Sequence, residues 1–235
     1  MKAVILAGGF GKRLRPLTDD RPKPLIELDG VPILSFQIEW LKKSGLNEII
    51  LCIGYRKEAI MELIGDGSSF GIKVGYAIEE EPLGTGGALK NAESLLKNDT
   101  AFLVLNGDII TDIDPSPLRQ KVARGALSSI SVVPLRSPFG IVDIENKLVK
   151  GFVEKPILRE YSINAGIYCF SNEIFSRLPQ KGSIETETFP ALAEESKLVA
   201  VSYPESAWIS IDSHKDIEKA VEEFSDDIQN IKSRS

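Results

Sequence analysis

The chain begins with MKAVILAGGFGKRLR, residues 1–15, in which an apolar run stops at a glycine-rich segment. The run from Lys2 to Ala7 is rich in β-branched side chains and predicts a buried strand. The glycines that follow, Gly8, Gly9 and Gly11, let backbone N–H groups wrap closely around an anion. Three cations come directly afterwards, at Lys12, Arg13 and Arg15. This stretch therefore predicts an α/β fold with an anion-binding loop at the carboxyl end of its first strand.

The first half of the chain continues the alternation of strands and helices, which is typical of βαβ units and a largely parallel sheet. Strands are predicted at 48–53, 72–78 and 101–105, and helices at 32–44, 56–64 and 86–97. Beyond residue 127, apolar runs at 127–134, 139–144, 148–153 and 165–170 have hairpin-like spacing. A helix at 184–195, strands at 198–202 and 208–211 and a last helix from 213 complete the pattern. We therefore expect one α/β domain over residues 1–235, with a second half that is mixed or antiparallel.

Composition and charge restrict the partners of this protein. The 235 residues include 28 Lys or Arg and 34 Asp or Glu, which gives a formal net charge of −6. An acidic chain lacks a general attraction for nucleic acid or an anionic membrane, so we expect neither as a partner. No apolar stretch approaches the ~20 residues that cross a bilayer, and the sequence has no signal-peptide pattern. These features predict a cytoplasmic protein.

The glycine-rich loop differs from two common nucleotide-binding motifs. A Walker A loop needs Gly-Lys-Ser/Thr after four spacer residues, and a dinucleotide fingerprint needs a third glycine where this chain has Leu14. Shortly after the loop, Lys23 stands between Pro22 and Pro24, which fix the local backbone and remove two N–H donors. This favours a rigidly presented ammonium near the anion site, whereas the plainer alternative is an exposed turn with an incidental lysine.

The runs LAGGFGKRLRPLT at 6–18 and PKPL at 22–25 resemble the opening signature of the sugar-phosphate nucleotidyltransferases. Further motifs of that family follow in the same order: Leu-Gly-Thr-Gly at 83–86, Gly-Asp at 107–108, Glu-Lys-Pro at 154–156, Asn-Ala-Gly at 164–166 and a Trp/Asp segment at 208–212. The resemblance extends from residue 2 to about 224. It implies an enzyme with a Rossmann-like nucleotide-diphospho-sugar transferase fold, whose central sheet is mixed and mostly parallel. Many relatives carry a C-terminal β-helix, which we do not expect in this chain.

The resemblance implies a reaction in which a sugar 1-phosphate attacks the α-phosphorus of a nucleoside triphosphate and expels pyrophosphate. The attacking phosphate is already an anion, so no general base is needed, and the sequence has a single histidine. Catalysis then depends on positioning and on neutralising charge. The resemblance implies that Arg13 holds the leaving pyrophosphate and that Lys23 contacts the α-phosphate. The remaining implied nucleotide contacts are Leu6, Ala7, Gly8, Gly9, Gly11, Lys12, Gly84 and Thr85.

Asp108 is the first candidate ligand for Mg²⁺, because it follows an apolar strand and supplies the hard carboxylate that this ion prefers. The sequence motif identifies the second carboxylate ligand of the metal less clearly. Many relatives place an Asp two residues after the late Trp, where this chain has Ser210, while others place it four residues after, where Asp212 lies. We take Asp212 as the second ligand. The alternative is that Asp212 caps the last helix, which would leave one metal ligand.

The sugar phosphate is assigned by resemblance to five residues. Lys155 is expected to hold the phosphate, Glu154 and Asn164 to hydrogen-bond the ring hydroxyls, and Gly140 to allow a close backbone approach. Trp208 is expected either in the core or as a wall of the sugar pocket. These residues do not identify the sugar.

Glu79 is the candidate determinant of the base. Guanine presents N1–H and an amino group together, which one carboxylate can accept, whereas uridine-using relatives often have a glutamine at the matching position. We therefore predict GTP as the nucleotide. The alternative is a solvated acidic turn formed by 79–81.

The preferred activity is the synthesis of GDP-mannose from GTP and mannose 1-phosphate. Alternatives within the class are a glucose-1-phosphate uridylyl-, thymidylyl- or cytidylyltransferase and a heptose-1-phosphate guanylyltransferase. Two further alternatives are a catalytically silent regulatory subunit that binds a nucleotide sugar, and a glycosyltransferase that uses Asp112 and Asp114 as a metal motif. An apolar patch on the mixed half is compatible with a homodimer.

Overall fold

The computed structural model describes residues 1–233. Thirteen strands are found in this part of the chain: β1 Ala3–Leu6, β2 Glu27–Leu28, β3 Val31–Pro32, β4 Glu48–Ile53, β5 Lys73–Ile78, β6 Ala101–Asn106, β7 Ile109–Thr111, β8 Ser128–Arg136, β9 Ile141–Glu145, β10 Leu148–Val153, β11 Ile157–Ser171, β12 Leu198–Ser202 and β13 Trp208–Ser210. The α-helices are α1 Ile33–Lys43, α2 Lys57–Ile64, α3 Gly84–Asn91, α4 Glu93–Leu96, α5 Ser116–Ala123, α6 Phe189–Glu194, α7 His214–Glu223 and α8 Ser225–Lys232. Short 3₁₀ turns lie at Lys12–Leu14, Lys23–Leu25, Ser68–Phe70 and Asn172–Arg177, and a π turn lies at Ile184–Thr188.

The main sheet, traced within residues 1–233, has seven strands in the order β12-β8-β11-β6-β1-β4-β5. Strand β1 runs parallel to β4 and β6, β4 parallel to β5, and β12 parallel to β8. Only β11 runs against its neighbours β6 and β8. This confirms the predicted α/β fold with a mixed, mostly parallel sheet.

The core lies on both faces of this sheet. In β1, Ala3 and Ile5 pack on the α1 side, while Val4 packs on the opposite side with Phe102 and Tyr168. Because such strands are buried on both faces, they are continuous apolar runs in the sequence. A third apolar cluster, which includes Leu14, Ile209 and Phe224, lies beneath α7.

Three predicted helices differ from the structure. The last helix, predicted from residue 213, is divided at Phe224 into α7 and α8. The helix predicted at 86–97 is divided into α3 and α4 by Ala92. The helix predicted at 184–195 begins with the π turn, and regular α-helix starts only at Phe189, with Pro190 in its first turn. Proline is tolerated there because its missing N–H has no partner at a helix start. No helix within residues 1–233 is long and apolar enough to span a membrane.

Candidate active site

A cleft of about 280 Å³ opens at the carboxyl ends of β1 and β6, where ligands of open α/β sheets bind. It is lined by residues from the glycine-rich loop, the PKP segment, the acidic turn, α3 and the end of β6: Leu6, Ala7, Gly8, Gly9, Phe10, Lys23, Pro24, Glu79, Pro82, Gly84, Thr85, Ala88, Asn106, Gly107 and Asp108. Segments that are far apart in the sequence thus meet at one sheet edge, and most of the predicted nucleotide contacts are among them.

Close backbone packing at this edge requires Gly107, whereas a side chain at Gly8 would displace the end of the flexible Glu79 side chain. A Cβ on Gly8 would lie 2.5 Å from the Glu79 Oε1 atom, and a Cβ on Gly107 would lie 2.4 Å from the Leu6 carbonyl oxygen. Real Cβ atoms essentially never come so close to another heavy atom. The absence of side chains here allows the loop, the acidic turn and the end of β6 to enclose the cleft.

The turn between β4 and α2 contacts Phe10 of the glycine-rich loop and the segment that follows the loop. The Tyr55 hydroxyl donates to the Thr18 carbonyl at 3.1 Å, and the Arg56 Nη2 atom donates to the Asp19 carbonyl at 2.7 Å. The rings of Phe10 and Tyr55 are 5.1 Å apart, centroid to centroid. Sequence analysis did not identify this support, since neither Tyr55 nor Arg56 belongs to a motif.

Lys23 joins the two candidate metal ligands. Its Nζ atom lies 2.8 Å from Asp108 Oδ2 and 3.0 Å from Asp212 Oδ1. The lysine side chain is only 12% exposed, so the alternative of an incidental surface lysine does not describe its surroundings. Arg13 Nη2 lies 2.9 Å from the same oxygen of Asp212. Two carboxylates and two cations therefore form one cluster at the edge of the cleft.

The backbone that carries Asp108 is fixed by Gln37 of α1. The Gln37 Nε2 atom donates to the carbonyl oxygens of Asn106 and Ile109, at 3.0 Å each. The Asp108 carbonyl in turn accepts from the Ile211 N–H at 2.9 Å, which joins this loop to the segment that bears Asp212. Gln37 is buried and was not singled out from the sequence, because a polar residue within an amphipathic helix has no distinctive signal.

Asp212 does not cap α7, the helix that follows it. Ser213 takes that role, because its side chain accepts from the Asp216 N–H at the start of α7. The Asp212 carboxylate instead accepts from Lys23, from Arg13 and from the Ser210 hydroxyl at 3.3 Å. Ser210, where many relatives have an Asp, therefore lies beside the carboxylate that we assigned in its place.

Glu79 differs from the two glutamates that follow it. It is buried, and its Oε2 atom accepts from the Leu83 N–H at 3.1 Å. Burial raises the pKa of the Glu79 carboxyl, and the hydrogen bond from Leu83 opposes that rise. Glu80 and Glu81 are exposed and pair with Lys57 and Lys181, respectively. The solvated turn that we considered for 79–81 thus describes Glu80 and Glu81, whereas Glu79 faces the cleft.

The predicted sugar residues lie in three places outside the lining of this cleft. Gly140, Glu154 and Lys155 are on the hairpin formed by β9 and β10, where Glu154 Oε1 and Lys155 Nζ are 3.3 Å apart and both side chains are more than half exposed. Trp208 donates its indole N–H to the Ala165 carbonyl at 2.7 Å and lines a neighbouring cleft between β8, β11 and β13. The structure does not bring the hairpin residues to the Lys23 cluster.

Asn164 is connected to the cleft through Tyr168. Its Nδ2 atom lies 2.8 Å from the buried Tyr168 hydroxyl, which is 3.5 Å from Asn106 Nδ2. The Asn106 Oδ1 atom is buried and has no hydrogen-bond partner in the described part of the chain. Asn106 and Tyr168 were not assigned roles from the sequence, although Asn106 directly precedes the Gly-Asp motif.

Comparison with known proteins identifies the family of this chain. The sequence profile named "Nucleotidyl transferase" matches residues 2–227. The chain belongs to the nucleotidyl transferase family. It is 40% identical over 224 residues to the mannose-1-phosphate guanylyltransferase catalytic subunit beta of Dictyostelium discoideum, covering 92% of this chain and 62% of that protein. This chain thus spans about three fifths of the length of that relative.

Two solved structures share the fold of this nucleotidyl transferase. HddC from Yersinia pseudotuberculosis, solved in complex with GMP-PN, is 32% identical, with a TM-score of 0.75 and coverage of 95% of this chain and 99% of HddC. A putative glucose-1-phosphate thymidylyltransferase from Bacillus anthracis, in complex with a sucrose, has a TM-score of 0.76 at 24% identity, with coverage of 94% and 93%. The second likeness concerns the fold alone.

Enzymes of this nucleotidyl transferase family generally use a divalent metal ion. In the structure, the Asp108 and Asp212 carboxylates both contact the Lys23 ammonium. The same negative charges would attract a divalent cation. Within residues 1–233 no group of three or more His, Cys, Asp or Glu side chains could hold a metal. By their donor chemistry, the Asp108 and Asp212 carboxylates fit a hard ion that takes one or two carboxylates and completes its shell with water and phosphate oxygens.

Proposed function

We propose that this protein transfers the guanylyl group of GTP to mannose 1-phosphate, releasing pyrophosphate and forming GDP-mannose. The observation that carries the proposal is the cluster of Lys23, Arg13, Asp108 and Asp212 at the edge of a glycine-lined cleft. This arrangement supplies cations for phosphates and carboxylates for a metal, but no general base, which suits an attacking group that is already an anion.

Within this proposal, each part of the cluster has a task. The glycine-rich loop binds the triphosphate through its backbone N–H groups. Lys23 neutralises the α-phosphate during displacement, and Arg13, at the outer side of the cluster, holds the leaving pyrophosphate. Asp108 and Asp212 would hold Mg²⁺, which supplies charge neutralisation at phosphate oxygens when it is bound. Gln37 keeps the Asp108 loop in place through its two hydrogen bonds.

The choice of guanine is supported by Glu79 and by the relatives. Glu79 presents a buried carboxylate to the cleft, with one oxygen on the Leu83 N–H and the other beside Gly8. A carboxylate can accept from both N1–H and the amino group of guanine, whereas uracil offers one ring N–H. The Dictyostelium relative is named for guanylyl transfer, and HddC was solved with GMP-PN.

The sugar is assigned to mannose through the names of the relatives, and we keep Gly140, Glu154, Lys155, Asn164 and Trp208 as its proposed contacts. For the hairpin residues among them to reach the cluster, the hairpin has to approach the cleft when substrate binds. We also propose that the enzyme acts in the cytoplasm through one domain over residues 1–235, with neither nucleic acid nor membrane as a partner.

The proposal is tested by measuring pyrophosphate release with Mg²⁺ over a grid of GTP, UTP, dTTP, CTP and ATP against mannose, glucose and N-acetylglucosamine 1-phosphates. We expect GTP with mannose 1-phosphate to dominate, and added pyrophosphate to reverse the reaction. Asp108→Asn should abolish release and serves as the background control. A different dominant pair would overturn the assignment of substrates. Silence in every cell, with nucleotide still bound, would favour the regulatory subunit instead.

The glycosyltransferase alternative receives no support from its motif. Asp114 accepts from the Ser116 N–H at 2.9 Å and so begins α5, and its carbonyl accepts from the Tyr203 hydroxyl. Asp112 and Asp114 line a separate cleft near Trp40 rather than the glycine-lined one. A turn at the start of a helix accounts for this pair of residues.

A further inference from the structure

The turn between β4 and α2, residues 54–56, contacts the first part of the glycine-rich loop. The Tyr55 N–H donates to the Gly8 carbonyl at 3.5 Å, and a Cβ on Gly54 would lie 3.3 Å from the same oxygen. The rings of Phe10 and Tyr55 are 5.1 Å apart, with an angle of 43° between their planes, which is an ordinary aromatic contact. The start of the loop therefore lies directly against this turn.

The same turn also contacts the segment in which the loop ends. The Tyr55 hydroxyl donates to the Thr18 carbonyl at 3.1 Å and lies 3.4 Å from the Asp19 carbonyl. The Asp19 carbonyl also accepts from Arg56 Nη2 at 2.7 Å. Thr18 is buried, and its hydroxyl donates back to the Gly11 carbonyl at 3.0 Å. Residues 8–19 are thus attached to one turn near both of their ends.

Tyr55 and Arg56 also contact each other. The Arg56 Nε atom donates to the Tyr55 hydroxyl at 3.1 Å, and the Arg56 Cζ atom lies 5.7 Å from the centroid of the Tyr55 ring. Arg56 has φ 49° and ψ 41°, in the left-handed region that residues other than glycine rarely adopt. We call the pair Tyr55 and Arg56 the loop clamp.

The contacts of the loop clamp are made to the backbone of the loop. All of its hydrogen bonds to residues 8–19 end on backbone carbonyl oxygens. The lining of the cleft includes Phe10 but neither Tyr55 nor Arg56. The loop clamp therefore acts on an anion in the cleft only through the conformation of the loop. That conformation sets the direction of the N–H groups that such a loop offers to phosphates.

We propose that Tyr55 and Arg56 are positioning residues, which hold the glycine-rich loop in the conformation that binds the triphosphate. This rests on the proposed function, which assigns the triphosphate to the loop. A loop that is ordered before binding avoids the entropy cost of ordering it on the ligand. Without the loop clamp, only a fraction of the molecules has the competent loop, so the Kd for the triphosphate rises by the inverse of that fraction.

The test compares the Kd values for inorganic tripolyphosphate and for GMP, measured by calorimetry with Mg²⁺ on the full chain. Tyr55→Phe keeps the ring and removes the hydroxyl, and Arg56→Met removes the guanidinium donors. Since one hydrogen bond changes an equilibrium by up to about tenfold, we expect each variant to bind tripolyphosphate about 3- to 10-fold more weakly, with GMP changed by about twofold at most. In turnover, the KM for GTP should rise while the KM for the sugar 1-phosphate stays constant.

Each variant has a matched control. Tyr76→Phe removes a hydroxyl that donates to the Gly65 carbonyl at 2.7 Å, at the other end of α2. Lys57→Met removes a cation beside the loop clamp, and the Lys57 Nζ atom pairs with Glu80 at 3.1 Å. Both controls should bind tripolyphosphate as the wild type does. An unchanged Kd in the variants of the loop clamp, an equal loss in the controls or an equal loss for GMP would overturn the proposal.

A measurement without ligand separates this proposal from the proposed function. Hydrogen–deuterium exchange followed by mass spectrometry reports how often a segment opens. We expect the amides of residues 8–19 to exchange faster in Tyr55→Phe and Arg56→Met, and those of α5 to exchange at the wild-type rate. Wild-type exchange of residues 8–19 in both variants would refute the loop clamp even where turnover is observed. A wild type that binds no tripolyphosphate would overturn the proposed function and, with it, the role of the loop clamp in binding.

Discussion

Replacing Lys23 by methionine tests whether this lysine and a divalent cation compete for the same carboxylates. The variant keeps an apolar stem but removes the ammonium that lies 2.8 Å from Asp108 Oδ2 and 3.0 Å from Asp212 Oδ1. A metal that binds these carboxylates in the wild type has to displace the ammonium first. We therefore expect the variant to bind Mn²⁺ more tightly than the wild type does.

The expected gain follows from the two hydrogen bonds. A hydrogen bond to a charged group contributes about 1.5–3 kcal/mol. Both carboxylates are about 30% exposed, so solvent screens part of the interaction, and we take the lower value for a single bond. About 1.5 kcal/mol corresponds to a roughly tenfold decrease in the Kd for Mn²⁺.

The assay is titration of Mn²⁺ without nucleotide, followed by electron paramagnetic resonance or calorimetry. Lys12→Met is the control, because it also removes one cation of the loop, but the Lys12 Nζ atom lies over the Phe10 ring, 5.6 Å from its centroid. We expect its Mn²⁺ affinity to change by about twofold at most, since a charge outside the contact shell is screened by salt.

An unchanged or weaker Mn²⁺ affinity for Lys23→Met would refute the competition. Catalysis should change in the opposite direction to metal binding. Under the proposed function Lys23 neutralises the α-phosphate, so its loss should lower kcat by about 10²–10³-fold even though the metal site is strengthened.

Three further predictions concern Glu79 and Gly107. Glu79→Gln should reduce the preference for GTP over UTP, measured as the ratio of the two kcat/KM values, and an unchanged ratio would remove the role in base selection. Because burial raises the pKa of Glu79, its stabilising effect is present at low pH and is lost as the pH rises through the folded-state pKa. Glu79→Gln should therefore have a higher Tm than the wild type at pH 7. This difference in Tm should disappear at pH values below the ordinary pKa of a glutamate, and a difference that does not change with pH would contradict the argument. Gly107→Ala, whose Cβ would lie 2.4 Å from the Leu6 carbonyl, should lose about 1–3 kcal/mol of stability in chemical unfolding. Gly9→Ala is its control, because a Cβ there meets no atom of residues 1–233 within 4 Å, and equal losses would refute the steric argument.

The sequence predicts the main sheet well, because its strands are buried on both faces. β4 and β12 have the predicted bounds, and β1, β5 and β6 differ by no more than one residue at an end. The antiparallel part is predicted less well, because β8 ends two residues after the predicted 127–134 and β11 begins at Ile157 instead of residue 165. The position of Asp108 could also be predicted, since a polar residue directly after a continuous apolar run marks the carboxyl end of a strand.

What the sequence does not predict is which side chains meet across the cleft. Lys23 contacts carboxylates that are 85 and 189 residues away in the chain. These contacts form only because the fold brings together loops that follow three different strands. Gln37 has the same difficulty, because its two hydrogen bonds reach residues 69 and 72 positions away. Apolar periodicity also cannot separate a core strand from an exposed one, so the runs at 139–144 and 148–153 predict regular strands of the mixed half, whereas the structure has a separate hairpin there.

The charges of the candidate site are balanced within the free protein, and this has a consequence for ligand binding. Arg13 and Lys23 face Asp108 and Asp212, so two cations meet two carboxylates. Phosphates bind the cations, and a divalent metal binds the carboxylates. Either ligand alone therefore breaks the ion pairs and leaves the groups of opposite charge without a partner. When both bind, the metal compensates the carboxylates and the phosphates compensate the cations. Binding of metal and of phosphate should thus strengthen each other by the same factor, because thermodynamic coupling between two sites is reciprocal.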